Sequence, residues 1–386
     1  MSINFKDLLK IKTIECDGYV RYFIYLDCNG IKDKDLIVKL YTELYNFVII
    51  NKIQVIYEKI FGYLSFRDIL DKIKVDFIGG HVITSYIQGE PILDGILSSV
   101  FLYGIHIINQ NTIKTKYCSF KNKNIGTQII TNDIHHLYLS DIDGNSYLED
   151  GECEYRNLYQ NLEKYLSQNN FNPDNVVRTW IYMKDVLSDY KKFNDARIEF
   201  FEKNKIDFSI HSNTLPSSTC IGGSSCEFRD IHLDLYCVKS NDNKQITSRI
   251  YNKMQKEPAG SNYLFNPTFA RGTAVITKDY IEIQISGTAS IDSNGNTIYH
   301  NDPYNQIKTT FLNVKEILGQ YGLDFSDICQ STCFFKDKNY YSDYLKVKEE
   351  FGLENTNFTF VENHVCRDNL LFEFDGFAVK KQDNRG

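Results

Sequence analysis

The chain has 386 residues, enough for two or three domains that each bury a core. Hydrophobic residues make up 42% and charged residues 24%, with 27 Tyr and 26 Phe, which excludes extended disorder and asks for an interior rich in aromatic rings. The net charge of -7, with no long basic cluster, excludes nucleic acid and an anionic membrane as expected partners; a small carboxylate ligand would need local arginines.

The start, MSINFKDLLK, lacks the apolar core of a signal peptide, and the greasiest region, residues 45–64, is broken by Asn51, Lys52, Gln54, Glu58 and Lys59. A cytoplasmic protein is expected. The ten cysteines form no CxxC and the eight histidines are scattered, so reduced thiols, no metal site and no cofactor are expected.

Residues 1–112 read as a mixed accessory region: a short helical start, a strand over 19–27, an amphipathic helix over 34–51, and strands near 81–88 and 98–108. GEPILDG at 89–95 reads as a turn or loop, because Pro and two Gly separate two apolar runs. No catalytic motif stands out in this region, and its expected role is architectural.

From residue 113 the chain repeats itself at a period of about 151 residues. HLYLSDIDGN (136–145) falls over IQISGTASIDSNGN (283–296), and the two following helices share Asn161 with Asn313 and Leu166 with Leu318. VVRTWIYMKD (176–185) falls over ICQSTCFFKD (328–337), and RDIHLDLYCVK over NLLFEFDGFAVK, which sets His232 opposite Glu373 and Asp234 opposite Asp375. Each copy reads as hairpin, helix, strand, helix and two strands, with apolar helical spacing at Phe311, Val314 and Leu318 and a helix start at Asn301, Asp302 and Pro303. The expected class is α+β, mixed sheets with helices on one face, divided as 1–112, 113–240 and 241–386, with the first stretch a candidate degenerate third unit.

The last strand carries the chemistry. A period of two puts Leu371, Glu373, Asp375, Phe377 and Val379 on one face and Phe372, Phe374, Gly376 and Ala378 on the other. If the first face is buried, repulsion and desolvation leave one acid protonated near neutral pH, a candidate general acid. An ordinary alternating strand would instead turn both acids to water.

The order SGTASI (286–291), a helix with Gln306 and Asn313, GLDFSDI, a strand ending FFKD and a terminal LLFEFDGFAV resembles the RidA/YjgF superfamily, whose members are small chorismate mutase-like barrels of three subunits. The tandem arrangement, with RTWIYM (178–183), FNDAR (193–197), LPSSTCIGG (215–223), FARG (269–272) and VCRDNLLFE (365–373), resembles the chorismatases of that superfamily. The resemblance implies tandem RidA-like units and cleavage of the enolpyruvyl ether of chorismate to pyruvate plus a hydroxybenzoate or a dihydroxycyclohexadiene carboxylate, in secondary metabolism and without a cofactor.

It also implies site residues. Glu373 would be the general acid, Cys366 a pocket cysteine of the members that make hydroxybenzoate, and Arg271 and Arg367 carboxylate clamps. Arg178 and Tyr182 share a strand face with Trp180 and offer a fork donor, a hydroxyl and an aromatic wall; Gly287 would allow close approach of a ligand or of the backbone. Two rivals remain open: a RidA-like imine or enamine hydrolase, and a small-molecule binding protein without catalysis. Neither copy keeps the arginine of the simple deaminases, since LPSST and TNFTF stand in its place. Both a monomer imitating a trimer and a homo-oligomer fit the repeat.

Overall fold

In the computed structural model the described residues are 4–382 apart from 121–122, 145–153, 210–211, 226–229, 243, 260–265 and 355. The first unit runs α1 (Phe5–Leu8), β1 (Leu9–Cys16), β2 (Tyr19–Asp27), α2 (Lys34–Ile50), β3 (Gln54–Gly62), α3 (Arg67–Ile78), β4 (Thr84–Gln88), β5 (Glu90–Pro91) and β6 (Leu97–Ile107). The second runs β7 (Ile113–Phe120), β8 (Lys123–Thr131), β9 (Ile134–Asp143), α4 (Glu154–Gln168), β10 (Val176–Met183), α5 (Val186–Lys203), β11 (Ser217–Gly222) and β12 (Ile231–Ser240). The third runs β13 (Thr247–Ile250), β14 (Gly272–Ile276), β15 (Tyr280–Ala289), α6 (Pro303–Gly319), β16 (Ile328–Phe335), α7 (Tyr341–Phe351), β17 (Thr359–Glu362) and β18 (Phe372–Lys381).

The three sheets share one strand order. Its five strands are β1-β2-β6-β3-β4 in the first, β8-β9-β12-β10-β11 in the second, where β7 adds beside β8, and β14-β15-β18-β16-β17 in the third, where β13 adds beside β14 and β5 beside β17. In each, the strands that flank the last helix (α3, α5 or α7) pair in parallel, which a helical crossover permits and a tight turn does not. The fold is α+β, mixed sheets each with helices on one face. Asn161 and Asn313, matched in sequence, do the same work: each side-chain amide donates to the carbonyl of the last residue of its hairpin, Asp143 at 2.9 Å and Ala289 at 3.2 Å. Asn145 of the DGN match lies outside the described residues.

Residues 1–112 thus carry a complete strand order. The pattern announces β2, α2, β4 and β6, while β1, β3 and α3 are additional. Within β3, Glu58 and Lys59 read as breaks in an apolar run, yet both are buried. Glu58 accepts from the hydroxyls of Tyr41 and Tyr45, each at 2.8 Å, and from Thr84 at 2.7 Å, so its burial is compensated. The GEPILDG stretch is not merely a turn: Glu90 and Pro91 pair antiparallel with β17 and close the edge of the third sheet, a position where proline costs no ladder bond.

Each pair of helices buries its apolar stripe against its own sheet, and the opposite sheet faces converge on a shared interior. Phe23, Tyr57, Phe101, Tyr103, Tyr138, Trp180, Tyr236 and Phe377 fill it, which accounts for the aromatic content. Buried polar links join the units there: Arg21 to Glu282 at 2.6 Å, Tyr57 to Asp234 at 3.2 Å, and Arg178 to Asp375 at 3.1 Å.

The helix-side core of the third unit is built around one aromatic ring. In α6, Phe311 meets the rings of Phe325, Tyr344, Phe351, Phe358, Phe372 and Phe374 at centroid distances of 5.8 to 6.2 Å. Phe311→Ala leaves a cavity that rigid neighbours on all sides cannot fill. A loss of ~3–5 kcal/mol is expected, read as a lower urea midpoint at unchanged slope.

Candidate active site

In β18 the alternation places Phe377 and Val379 in the shared interior and Phe372, Phe374 and Ala378 against the helices, so Glu373 and Asp375 point inward. Glu373 is 4% exposed and Asp375 2%, so the solvated acidic face is ruled out. Their surroundings differ. Asp375 is ion-paired with Arg178, whereas among the described residues none hydrogen-bonds the Glu373 carboxyl. Burial, and after it the like charge of Asp375, push the Glu373 pKa up from 4.5 to about 8, against the opposing pull of Arg178, Arg367 and Arg271. At neutral pH Glu373 therefore carries a proton.

Glu373 lies on the wall of a cavity of 310 Å³ between the second and third units. The second unit supplies α5, through Asn194 and Arg197, and the edge strand β11, through Ser218, Thr219 and Cys220. The third supplies Arg271, Gly287 on β15, and Cys366 and Arg367 ahead of β18. The units meet there through a bridge from Ser217 to Ala270 and a hydrogen bond from the Ser218 N–H to Ser286 Oγ at 2.9 Å. Gly287 makes room for the acid. A Cβ at that position would stand 2.1 Å from Glu373 Oε1 and 3.3 Å from Thr219 Cγ2. Gly287→Ala is expected to displace the carboxyl and to lower any turnover that uses it by about 10²-fold, with the circular dichroism spectrum unchanged.

Three arginines face this space with different support. Arg271 is 4% exposed, donates to the Lys256 carbonyl, stacks 5.3 Å from the Phe269 ring centroid and leaves Nε without a protein partner. Burial, and then the neighbouring charge of Arg367, lower its pKa to about 10, so it stays cationic. Arg197 is also buried; it donates to Asn194 Oδ1 and, at 3.4 Å, to Ser218 Oγ, and its Nε lacks a protein partner. Arg367 is the most exposed, with Nη1 donating to the Gly295 carbonyl at 2.7 Å. Buried guanidinium side chains that line a cavity and have N–H groups to spare are apt for carboxylate oxygens. Burial, and after it Glu373, raise the Cys366 thiol to about 12.

Among the residues singled out by sequence, Glu373, Cys366, Arg271, Arg367 and Gly287 come together here, and Arg178 and Tyr182 do not. Those two lie in the shared interior: Arg178 behind the wall on Asp375, its guanidinium 4.9 Å from the Trp180 ring centroid, and Tyr182 stacked on His232 at 4.8 Å. Arg178 still touches the site through a hydrogen bond to Thr219 Oγ1. Asn194 and Arg197 are additional. Their signal is two strongly polar side chains on the buried face of α5, interleaved with Phe193, Ala196 and Phe200, an arrangement a packed helix keeps only where the polar groups find partners.

The strand order identifies the positions equivalent to Glu373 in the other sheets. Glu373 pairs with Phe334, His232 with Tyr182 and Ser99 with Phe61. His232 is buried under the Tyr182 ring, and the Ser99 hydroxyl is 2.6 Å from that of Thr359 across the closure of third unit on first. Of these three positions, only Glu373 places an acid on the wall of the 310 Å³ cavity.

Residues 272–380, most of the third unit, match the family model Endoribonuclease L-PSP. A solved chorismatase structure aligns over 96% of this chain and 100% of its own length, at 15% identity and a TM-score of 0.59. The E. coli YjgF gene product aligns over 34% of this chain and 98% of its own (24% identity, TM-score 0.27), and E. coli TdcF with bound serine over 34% and 98% (21% identity, TM-score 0.27). No curated protein matches the chain. Among the described residues no helix is long and apolar enough to cross a membrane. The chain therefore has the tandem RidA-like fold, its third unit matching the L-PSP family model and its three-sheet whole sharing the fold of a chorismatase.

Proposed function

We propose that the protein is a chorismatase-like enzyme that cleaves the enolpyruvyl ether of chorismate, or of a close dicarboxylate relative, without a cofactor. The observation that carries this reading is a buried Glu373, its pKa pushed up to about 8, on the wall of a cavity that also holds Arg197, Arg271 and Arg367. In it the Glu373 carboxyl gives its proton to the methylene carbon of the enol ether, forming an oxocarbenium-like carbon. Water or a ring hydroxyl attacks that carbon, and collapse releases pyruvate and the ring product. The arginines hold the two carboxylates of the substrate, and the carboxylate left on Glu373 is reprotonated from solvent.

The division into 1–112, 113–240 and 241–386 belongs to the same reading, with one chain standing in for a trimer and one inter-unit cleft doing the chemistry. An imine hydrolase of RidA type needs a single carboxylate clamp, and three arginines around one cavity favour a dianionic substrate over it. Against RNA as a substrate, the activity in the matching family's name, stand the net charge of -7 and the lack of any long basic cluster in the sequence. The test is to incubate the purified protein with chorismate, follow pyruvate by a coupled assay and identify the ring product by mass. Pyruvate with a stoichiometric ring product supports the reading; intact chorismate beside folded protein sinks it.

A further inference from the structure

Most of the eight described cysteines serve as small apolar residues, but two stand in register across the unit boundary. Ile221 at the end of β11 and Val365 ahead of β18 form an antiparallel bridge, and the Gly222 N–H donates to the His364 carbonyl at 2.7 Å. One step along such a ladder the opposing residues are Cys220 and Cys366. The side chains agree with that register: Ile221 and Val365 belong to the shared interior, while Cys220 and Cys366 face the opposite way, against the second unit's helix-side core and on the wall of the cavity. Directly opposed antiparallel residues have Cα atoms about 4.5–5.5 Å apart, within the range a disulfide spans without moving the backbone. Both thiols are free, Cys220 buried with its Sγ 3.5 Å from Met183 Sδ, and Cys366 partly exposed.

We propose that Cys220 and Cys366 are a reversible thiol–disulfide pair that ties the second unit to the third across the cavity. A small dialkyl disulfide is the oxidant. The more accessible Cys366 sulfur, as thiolate, attacks it to give a mixed disulfide and releases one thiol. Cys220 then attacks the Cys366 sulfur, the internal S–S bond forms and a second thiol leaves. Two protein S–H bonds are lost, the oxidant is reduced to two thiols, and the two protons go with them. Burial pushes both thiols up, Cys366 to about 12, so the pair is slow at neutral pH and its oxidation accelerates about tenfold per pH unit. A covalent tie beside Glu373 fixes the cavity wall. Loss of turnover on oxidation rests on the function proposed above, whereas formation of the bond does not.

The experiment exposes the folded full chain to hydroxyethyl disulfide at pH 7 and pH 9 and maps its disulfides by non-reducing peptide mass spectrometry. The expected result is a Cys220–Cys366 peptide, formed faster at pH 9 and removed by dithiothreitol. Cys220→Ser is expected to stop at a stable hydroxyethyl adduct on Cys366, because the resolving thiol is gone. Folded wild type in which Cys366 keeps its adduct, stays unreacted at pH 9 or pairs with another cysteine overturns the proposal. So does a Cys220→Ser protein with no adduct.

Discussion

Glu373→Gln is expected to lower pyruvate release from chorismate by about 10²–10⁴-fold, the usual worth of a positioned general acid, with the fold intact. Glutamine keeps the shape and gives up the transferable proton. The same substitution separates acid chemistry from binding, because the arginines still hold a dicarboxylate and ligand affinity should move little. It also has a stability signature whose sign follows from the pKa. A carboxyl raised from 4.5 to about 8 on folding binds its proton more tightly in the native state. Its favourable contribution is fully present below pH 4.5 and is lost as pH rises through 8. Each pKa unit is worth ~1.4 kcal/mol, so the wild type gives up several kcal/mol at this one residue by pH 9. Glu373→Gln is therefore expected to match the wild-type Tm at pH 5 and to exceed it at pH 9.

Arg178→Ala carries the second large effect, on stability. Arg178 is fully buried and gives Asp375 its counter-charge at 3.1 Å across the boundary between the second and third units. Desolvation lowers its pKa to about 10, which still leaves it charged at pH 7. Its removal takes the ion-pair partner from a buried carboxylate, leaving it the Lys59 charge, and opens a void beside Trp180. A loss of ~3–5 kcal/mol is expected at pH 7, read from urea unfolding, and pairing Arg178→Met with Asp375→Leu should recover much of it. If Arg178 instead bound substrate directly, the double replacement would fold but bind no dicarboxylate.

The repeat was legible because it is carried by residues with geometric duties. Asn161 and Asn313 tie a helix to a hairpin end, and the alternation of β18 fixes which side chains turn inward. The first unit hid its strand order because its polar residues are satisfied inside rather than at the surface, as Glu58 shows. Sequence spacing set Arg178 and Tyr182 on one face of β10 correctly but could not say that this face looks into the shared interior rather than the cleft. That depends on how three sheets close on each other. Arg197 lies within FNDAR, but its place in the site was not legible for the converse reason: it reaches the cavity from a helix of the neighbouring unit, through a contact that no local period encodes.

The ionisation of Glu373 is the measurement that bears most directly on this reading. Difference infrared spectra of wild type against Glu373→Gln, taken from pH 5 to pH 10, isolate the carbonyl stretch of one protonated carboxyl. A band that persists at pH 7 and fades with a midpoint near 8 is the expected result. A midpoint in the ordinary carboxylate range, leaving Glu373 ionised at pH 7, would contradict its role as the acid of the cavity.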